Sequence, residues 1–137
     1  MFRPFLEKGA ARIAMPDVAW TGGITETKKI ATMAAAYGVP IAPHNCGGPG
    51  TFYASLHLCL NLANVMVCEA VPENHLRFYE QIVQQNIPVA EGDALCIDKP
   101  GLGTDLRTDL LQRADVEHEV TDRPNEWGKS PVHKMVR

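Results

Sequence analysis

Three polar side chains in this 137-residue sequence stand where chemistry can be built: Asp17, His44 and Glu69. Each closes a short apolar run, IAMP before the aspartate, VPIAP before the histidine and VMVC before the glutamate. A carboxylate beside an imidazole orients the ring, and an oriented imidazole works as a general base. Adjacent parallel strands lie about 4.8 Å apart, so an Asp and a His at neighbouring strand ends can meet. In a parallel α/β barrel those ends, with the loops after them, are where active sites are built. One such residue is ordinary, because an Asp after a strand commonly caps a turn and a lone His is commonly structural. Three in phase across successive units carry more weight.

The elements that must position them follow from the pattern of the chain. Ala11–Ala19 reads as a buried strand whose regular pairing stops at Pro16. After Gly22 and Gly23, ITETKKIATMAAAYG predicts an amphipathic helix with Ile30, Met33, Ala34 and Tyr37 on one face and Glu26, Lys28 and Lys29 on another. Thr25 is its expected N-cap, and Gly38 followed by Pro40 its stop. Val39–Ala42 is a second strand, running into Pro43, His44 and Asn45. The loop CGGPG then leads into a helix over Thr51–Leu62, with Tyr53, Leu56, Leu60 and Ala63 at helical spacing, and Val65–Cys68 forms a third strand. Strands that alternate with helices predict parallel β-α units rather than hairpins. Beyond Glu69 the signals weaken: a short helix over His75–Gln85, a strand over Ala94–Ile97, a turn at Pro100–Gly103, a helical piece over Thr108–Arg113 and a polar tail.

Composition narrows the function class. Hydrophobic residues make up 45% of the chain and charged residues 21%, which fits one globular domain or part of a larger one. A formal net charge of −3 excludes a basic-patch nucleic-acid binder, and no apolar run reaches the roughly 18 residues that span a bilayer. The first residues lack a signal-peptide layout, so the four cysteines, Cys46, Cys59, Cys68 and Cys96, are expected as reduced thiols in a cytoplasm. They show no C-x-x-C spacing, the five histidines form no ligand pattern with them, and no metal-ligating residue is assigned. Cys59, Cys68 and Cys96 read as small core residues and His57 as structural. Cys46 beside His44 is a poor nucleophile pair, and CGGPG lacks the lysine of a phosphate loop.

M-P-D-V-A-W-T-G-G-I-T-E (15–26), Ile30-Ala31, Tyr37-Gly38 and A-P-H-N (42–45) together resemble the enolase superfamily, specifically its mandelate racemase/muconate lactonizing branch and the acid-sugar (galactonate-like) dehydratases within it. The separation of 27 positions between Asp17 and His44, Gly48-Pro49, A-S-L-H-L (54–58), Asn64 with Glu69, and P-G-L-G (100–103) extend the likeness to about residue 113. The resemblance implies an α/β fold, namely the C-terminal portion, about strands six to eight with their helices, of a (β/α)7–8 TIM-type barrel. It implies that His44 is the base or acid at the carbon next to a substrate carboxylate, that Asp17 orients it, and that Glu69 hydrogen-bonds that carboxylate. Trp20 and Asn45 are the expected substrate-binding residues, Trp20 lining a sugar pocket or packing on the next helix.

The resemblance also implies Mg²⁺, acting as a Lewis acid on the substrate carboxylate. Its ligands belong to earlier barrel strands that have no counterpart in this sequence. A whole barrel takes about 250 residues, so residues 1–113 are expected to be a partial barrel domain and 114–137 a polar C-terminal tail. The expected activity is that of a hydro-lyase acting on a small-molecule sugar acid, or a racemase sharing its first step. The isolated chain is expected to be inactive and to form a homo-oligomer or to require a partner that completes the barrel. A non-catalytic remnant or interaction module, and one half of a split enzyme, are the alternatives.

Overall fold

The computed structural model of the chain describes residues 2–95 and 98–117. Three β-α units carry the site. A short helix α1 (Arg3–Glu7) begins with Pro4 in its first turn, where a missing N–H costs nothing, and an exposed Arg3–Glu7 pair one turn apart closes it. Its Leu6 turns inward. Then come segment 14–17, helix α2 (Gly23–Ala36), segment 39–44, helix α3 (Pro49–Asn61) and segment 64–69.

The three segments lie parallel, with 39–44 in the middle. Ala14 pairs with Ile41, Asp17 with His44, and Ile41 with Val65. The expected parallel arrangement is thus present, but as isolated bridges rather than continuous strands. Ala11–Ala19 is ladder-paired only around Ala14 and Asp17, because Pro16, Pro40 and Pro43 remove three of the N–H donors a ladder needs. Among the donors that remain, Ala42 N–H reaches Ala14 C=O at 2.9 Å, Ile41 N–H reaches Asn64 C=O at 2.8 Å and Met66 N–H returns to Ile41 C=O at 2.8 Å. The Asn64 side chain adds a clamp, donating at 3.1 Å to both Ala31 C=O of α2 and Val39 C=O.

Helix α2 starts two residues before Thr25. Gly22 (φ 104°) is the N-cap residue and Gly23 (φ 89°) the first helical one, so the expected Thr25 cap is corrected: left-handed glycines make the entry and Thr25 lies inside the helix. Its stop is as expected, with Gly38 at φ 67°, Gly38 N–H bonded to Ala35 C=O and Val39 N–H to Ala34 C=O, which is the Schellman pattern. The inward face is Thr27, Ala31 and Ala34, with Ile30 and Met33 at its border and Tyr37 outside. Small residues win that face because they let the helix lie close against Ala14, Val39 and Ile41, with which Ala31 and Ala34 form one core cluster together with Leu6.

Helix α3 begins at Pro49, earlier than Thr51, since an extended Gly48 caps it and proline suits a first turn. Leu60 is exposed, not inward. The helix instead buries Phe52, Tyr53, Ala54, Ser55 and Leu58, because it is covered on two sides. Phe52 and Tyr53 pack with Tyr79, Val83 and Ile87, while Ala54 and Leu58 pack with Val18.

The helix expected over His75–Gln85 is shifted toward the N-terminus, as α4 (Pro72–Asn74), a π-turn (His75–Tyr79) and α5 (Glu80–Ile82). Ala94 does lie in a strand, β2 (Asp93–Ala94), paired antiparallel with β1 (Val89–Ala90) through a turn with positive φ at Glu91 and Gly92; Cys96 and Ile97 lie outside the described residues. The Pro100–Gly103 turn is present, closed by Gly103 N–H to Pro100 C=O, and a short 3₁₀ helix (Leu110–Gln112) stands within Thr108–Arg113. Of the expected tail, residues 118–137 lie outside the described residues. No helix among the described residues is long and apolar enough to cross a membrane.

Candidate active site

Because Asp17 and His44 are bridge partners, their side chains leave adjacent backbones at the same level and on the same side. His44 Nδ1 lies 2.8 Å from Asp17 Oδ2. The other carboxylate oxygen, Oδ1, accepts the Ala19 N–H at 2.8 Å. A carboxylate held at both oxygens leaves the imidazole one sensible role, with Nδ1–H donating to Oδ2 and Nε2 presenting its lone pair outward. Asp17 is 6% exposed, whereas the His44 side chain is 29% exposed, so the orienting group is enclosed and the ring reaches solvent.

Glu69 stands across from the free nitrogen. Its Oε2 is 3.9 Å from His44 Nε2, beyond direct hydrogen-bond range, and accepts the Asn45 N–H at 2.8 Å. Glu69 N–H in turn donates to Pro43 C=O, which ties segment 64–69 to the histidine's own segment. Trp20 leans over the imidazole, ring centroids 5.4 Å apart and planes tilted by 35°. Its indole is 77% exposed, so of the two expectations for it the structure places it over the histidine rather than against the next helix. Asn45 meets the site through its backbone; its carboxamide is fully buried and makes no hydrogen bond of ordinary geometry. Below it, the Tyr79 hydroxyl donates to Gly47 C=O at 2.8 Å and holds the loop after the histidine. Burial pushes the Tyr79 phenol above its ordinary value, against the opposing influence of Asn45 and Asn74.

Three residues of the surroundings were not singled out from sequence: Thr21, Thr27 and Tyr79. Thr21 Oγ1 donates to Asp17 C=O at 2.8 Å and touches Thr27 Oγ1 at 2.7 Å. A threonine four residues after the aspartate was the only available signal, and it is a weak one. Cys46 is exposed on the loop; Cys59 is half-buried, and Cys68, also half-buried, packs at the border of the core cluster of Phe52, Tyr53 and Tyr79. A hydrogen bond between Cys59 and Cys68 draws the Cys59 thiol down and pushes Cys68 up. Among the described residues no three of His, Cys, Asp and Glu gather as metal ligands.

Parallel β-α units that carry an Asp–His pair and a second carboxylate at their C-terminal ends have the arrangement of a TIM-barrel-like domain, whose C-terminal face is where such side chains gather. The model of one family, described as enolase C-terminal domain-like, matches residues 1–110, and the chain belongs to that family. It is 32% identical over 111 residues to arabinonate dehydratase of Saccharolobus solfataricus, covering 81% of this chain and 29% of that protein. It is likewise 32% identical over 136 residues to D-galactonate dehydratase of Xanthomonas campestris pv. campestris, covering 96% of this chain and 34% of the relative. Among solved structures, an enolase of the mandelate racemase subgroup from Agrobacterium tumefaciens superposes with a TM-score of 0.75 at 41% identity, over 81% of this chain and 30% of that one. The chain thus spans about a third of the length of the curated relatives it matches.

Proposed function

We propose that this chain is the base-bearing part of an acid-sugar dehydratase, corresponding to about strands six to eight of a (β/α)7–8 barrel. The observation that carries the reading is the 2.8 Å contact between His44 Nδ1 and Asp17 Oδ2 at paired segment ends, in a chain whose relatives are sugar-acid dehydratases. The substrate is an aldonate or aldarate, and the reaction is β-elimination of water. His44 Nε2 takes the proton from the carbon next to the carboxylate. That proton balances the hydroxide leaving the following carbon, and the enol product relaxes to a 2-keto-3-deoxy acid. Racemisation shares the first step and differs in needing a second base.

The other residues have distinct tasks. Asp17 holds the imidazole in the tautomer that leaves Nε2 free. Glu69, fixed by Asn45 N–H, shares a proton with the substrate carboxylate, so Asn45 acts on substrate through Glu69. Trp20 gives the sugar acid an apolar wall beside the imidazole.

Enolase-superfamily enzymes are generally Mg²⁺-dependent, and the ion serves as a Lewis acid for charge developing on the carboxylate. The donors here do not suit it. Mg²⁺ takes oxygen ligands in octahedral geometry, while both Asp17 oxygens and one Glu69 oxygen are already engaged and His44 offers nitrogen. We therefore place its ligands outside the described residues, on the remainder of the barrel. That remainder comes from a longer form of this polypeptide or from a partner chain. A sheet face bearing Ile13, Met15 and Met66, all exposed and each next to one of the bridged residues Ala14 and Val65, is where such a remainder would pack.

The test is Mg²⁺-dependent conversion of a panel of aldonates and aldarates to 2-keto-3-deoxy acids by this chain, combined with the N-terminal two-thirds of a D-galactonate dehydratase barrel. Turnover that His44→Ala abolishes supports the reading. Turnover that survives His44→Ala removes His44 from the chemistry.

A further inference from the structure

We propose that Thr27, acting through Thr21, is a positioning residue for the Asp17–His44 pair and for the Trp20 turn above it. The inference rests on the reading that this pair does the chemistry, and it extends that reading one layer inward.

Thr27 is fully buried on a helix face otherwise made of Ala31 and Ala34. A valine would fill the same volume, so the hydroxyl is there for its bonds. Thr27 Oγ1 lies 2.9 Å from Gly23 C=O and 2.7 Å from Thr21 Oγ1, and Thr21 Oγ1 lies 2.8 Å from Asp17 C=O. Two hydroxyls carry two protons for these three contacts. Thr21 donates its own to Asp17 C=O, so the Thr27 proton is shared between Gly23 C=O and Thr21 Oγ1. Thr27 thus ties the first turn of the helix to Thr21, and Thr21 ties that contact to the aspartate's backbone.

Asp17 C=O is the hub of the turn. It also accepts Trp20 N–H at 3.1 Å and Thr21 N–H at 2.9 Å. One carbonyl therefore fixes both the backbone that carries the carboxylate and the turn that carries the indole over His44. Between this turn and α2 lie Gly22 and Gly23, both at left-handed φ, where the backbone has its widest freedom. The two threonines strap across those glycines from either side, with one backbone bond, Gly23 N–H to Val18 C=O at 2.9 Å, beside them. Removing the strap loosens the turn that sets the angle of the Asp17 carboxylate to His44, leaving Ala19 N–H as its remaining side-chain anchor.

The experiment is ¹⁵N NMR of the imidazole rings in the full chain, with His44→Gln identifying the His44 signals. Wild type and Thr27→Ser are expected to show His44 as the Nδ1–H tautomer with a persistent Nδ1–H line. Thr27→Val, with backbone amide signals otherwise preserved, is expected to lose that line and show mixed tautomers. Should Thr27→Val fail to fold, Thr21→Ala, at a half-buried position, carries the same comparison. A folded variant that is less stable but keeps the Nδ1–H line overturns the proposal, for the threonines are then merely structural. Wild type lacking the Nδ1–H tautomer removes the Asp17–His44 reading itself, and the proposal with it.

Discussion

Asp17→Asn is the sharpest perturbation of the candidate site, because the structure fixes which way the new amide must face. Ala19 N–H donates at 2.8 Å to the position of Oδ1, so the amide oxygen stays there. The amide nitrogen then occupies the position of Oδ2, 2.8 Å from His44 Nδ1. Two N–H groups cannot point at each other, and His44 must shed the Nδ1 proton, accept from the amide and carry its proton on Nε2. The lost charge-assisted bond is worth about 1.5–3 kcal/mol, which alters the tautomer ratio by about 10- to 150-fold at roughly 1.4 kcal/mol per decade. Nε2, the nitrogen that faces Glu69 across 3.9 Å, then offers a proton where a base needs a lone pair. In a completed barrel the turnover number is expected to fall by about 10⁴, the size that imposing the wrong tautomer has in a serine-protease triad. In the chain itself, the ¹⁵N shifts of His44 at mildly alkaline pH are expected to exchange, the protonated-type signal moving from Nδ1 to Nε2. An Asp17→Asn protein that keeps the proton on Nδ1 refutes the derivation, since the carboxylate would then not be what sets the tautomer.

Other expectations concern the frame. Ile41 is fully buried and bridges both neighbouring segments, so Ile41→Ala is expected to cost about 3–4 kcal/mol in denaturant unfolding; a loss below about 1 kcal/mol would mean the site collapses around it. Burial raises the Tyr53 and Tyr79 phenols above their ordinary 10.0, so the folded state holds those protons longer than the unfolded one. Stability is therefore intact below about pH 10 and falls as pH rises through the raised values. Replacing both by Phe should flatten that alkaline loss in pH-dependent unfolding curves, and an unchanged slope assigns it elsewhere. The exposed apolar face carrying Ile13, Met15 and Met66 predicts self-association of the isolated chain in sedimentation or light scattering. A stable monomer at tens of micromolar would show that the face tolerates water.

The site was legible in outline because backbone signals announced it. Pro–Asp and Pro–His each close an apolar run, the glycine-bounded helices fall between them, and parallel connection brings such ends together. The contents of α2 were harder. Ile30, Met33 and Tyr37 look like its apolar stripe, yet close approach to the sheet selects Ala31 and Ala34, whose small size carries little weight in a pattern of hydrophobicity. Thr25 looks like a cap only until two left-handed glycines are seen to begin the helix. Leu60 was misplaced because α3 is covered on two sides, so a single stripe does not describe it. The directions of Trp20 and Asn45 depend on the turn after Asp17 and on the loop above Tyr79, and no spacing rule encodes either.

The prolines of segment 39–44 have a consequence for how the chain finds its alignment. A slip of one residue would exchange its two faces, which the core forbids. A slip of two keeps the faces and is the dangerous error. Sliding one way puts Pro43 where Ile41 now donates to Asn64 C=O; sliding the other way puts Pro40 where Ala42 now donates to Ala14 C=O. Each direction forfeits a bond on a different flank and leaves a buried carbonyl unanswered, at about 1–3 kcal/mol. Residues that thin the native ladder thereby penalise both of its nearest counterfeits, and the aspartate and histidine arrive opposite each other because the chain has no comparably good second alignment to settle into.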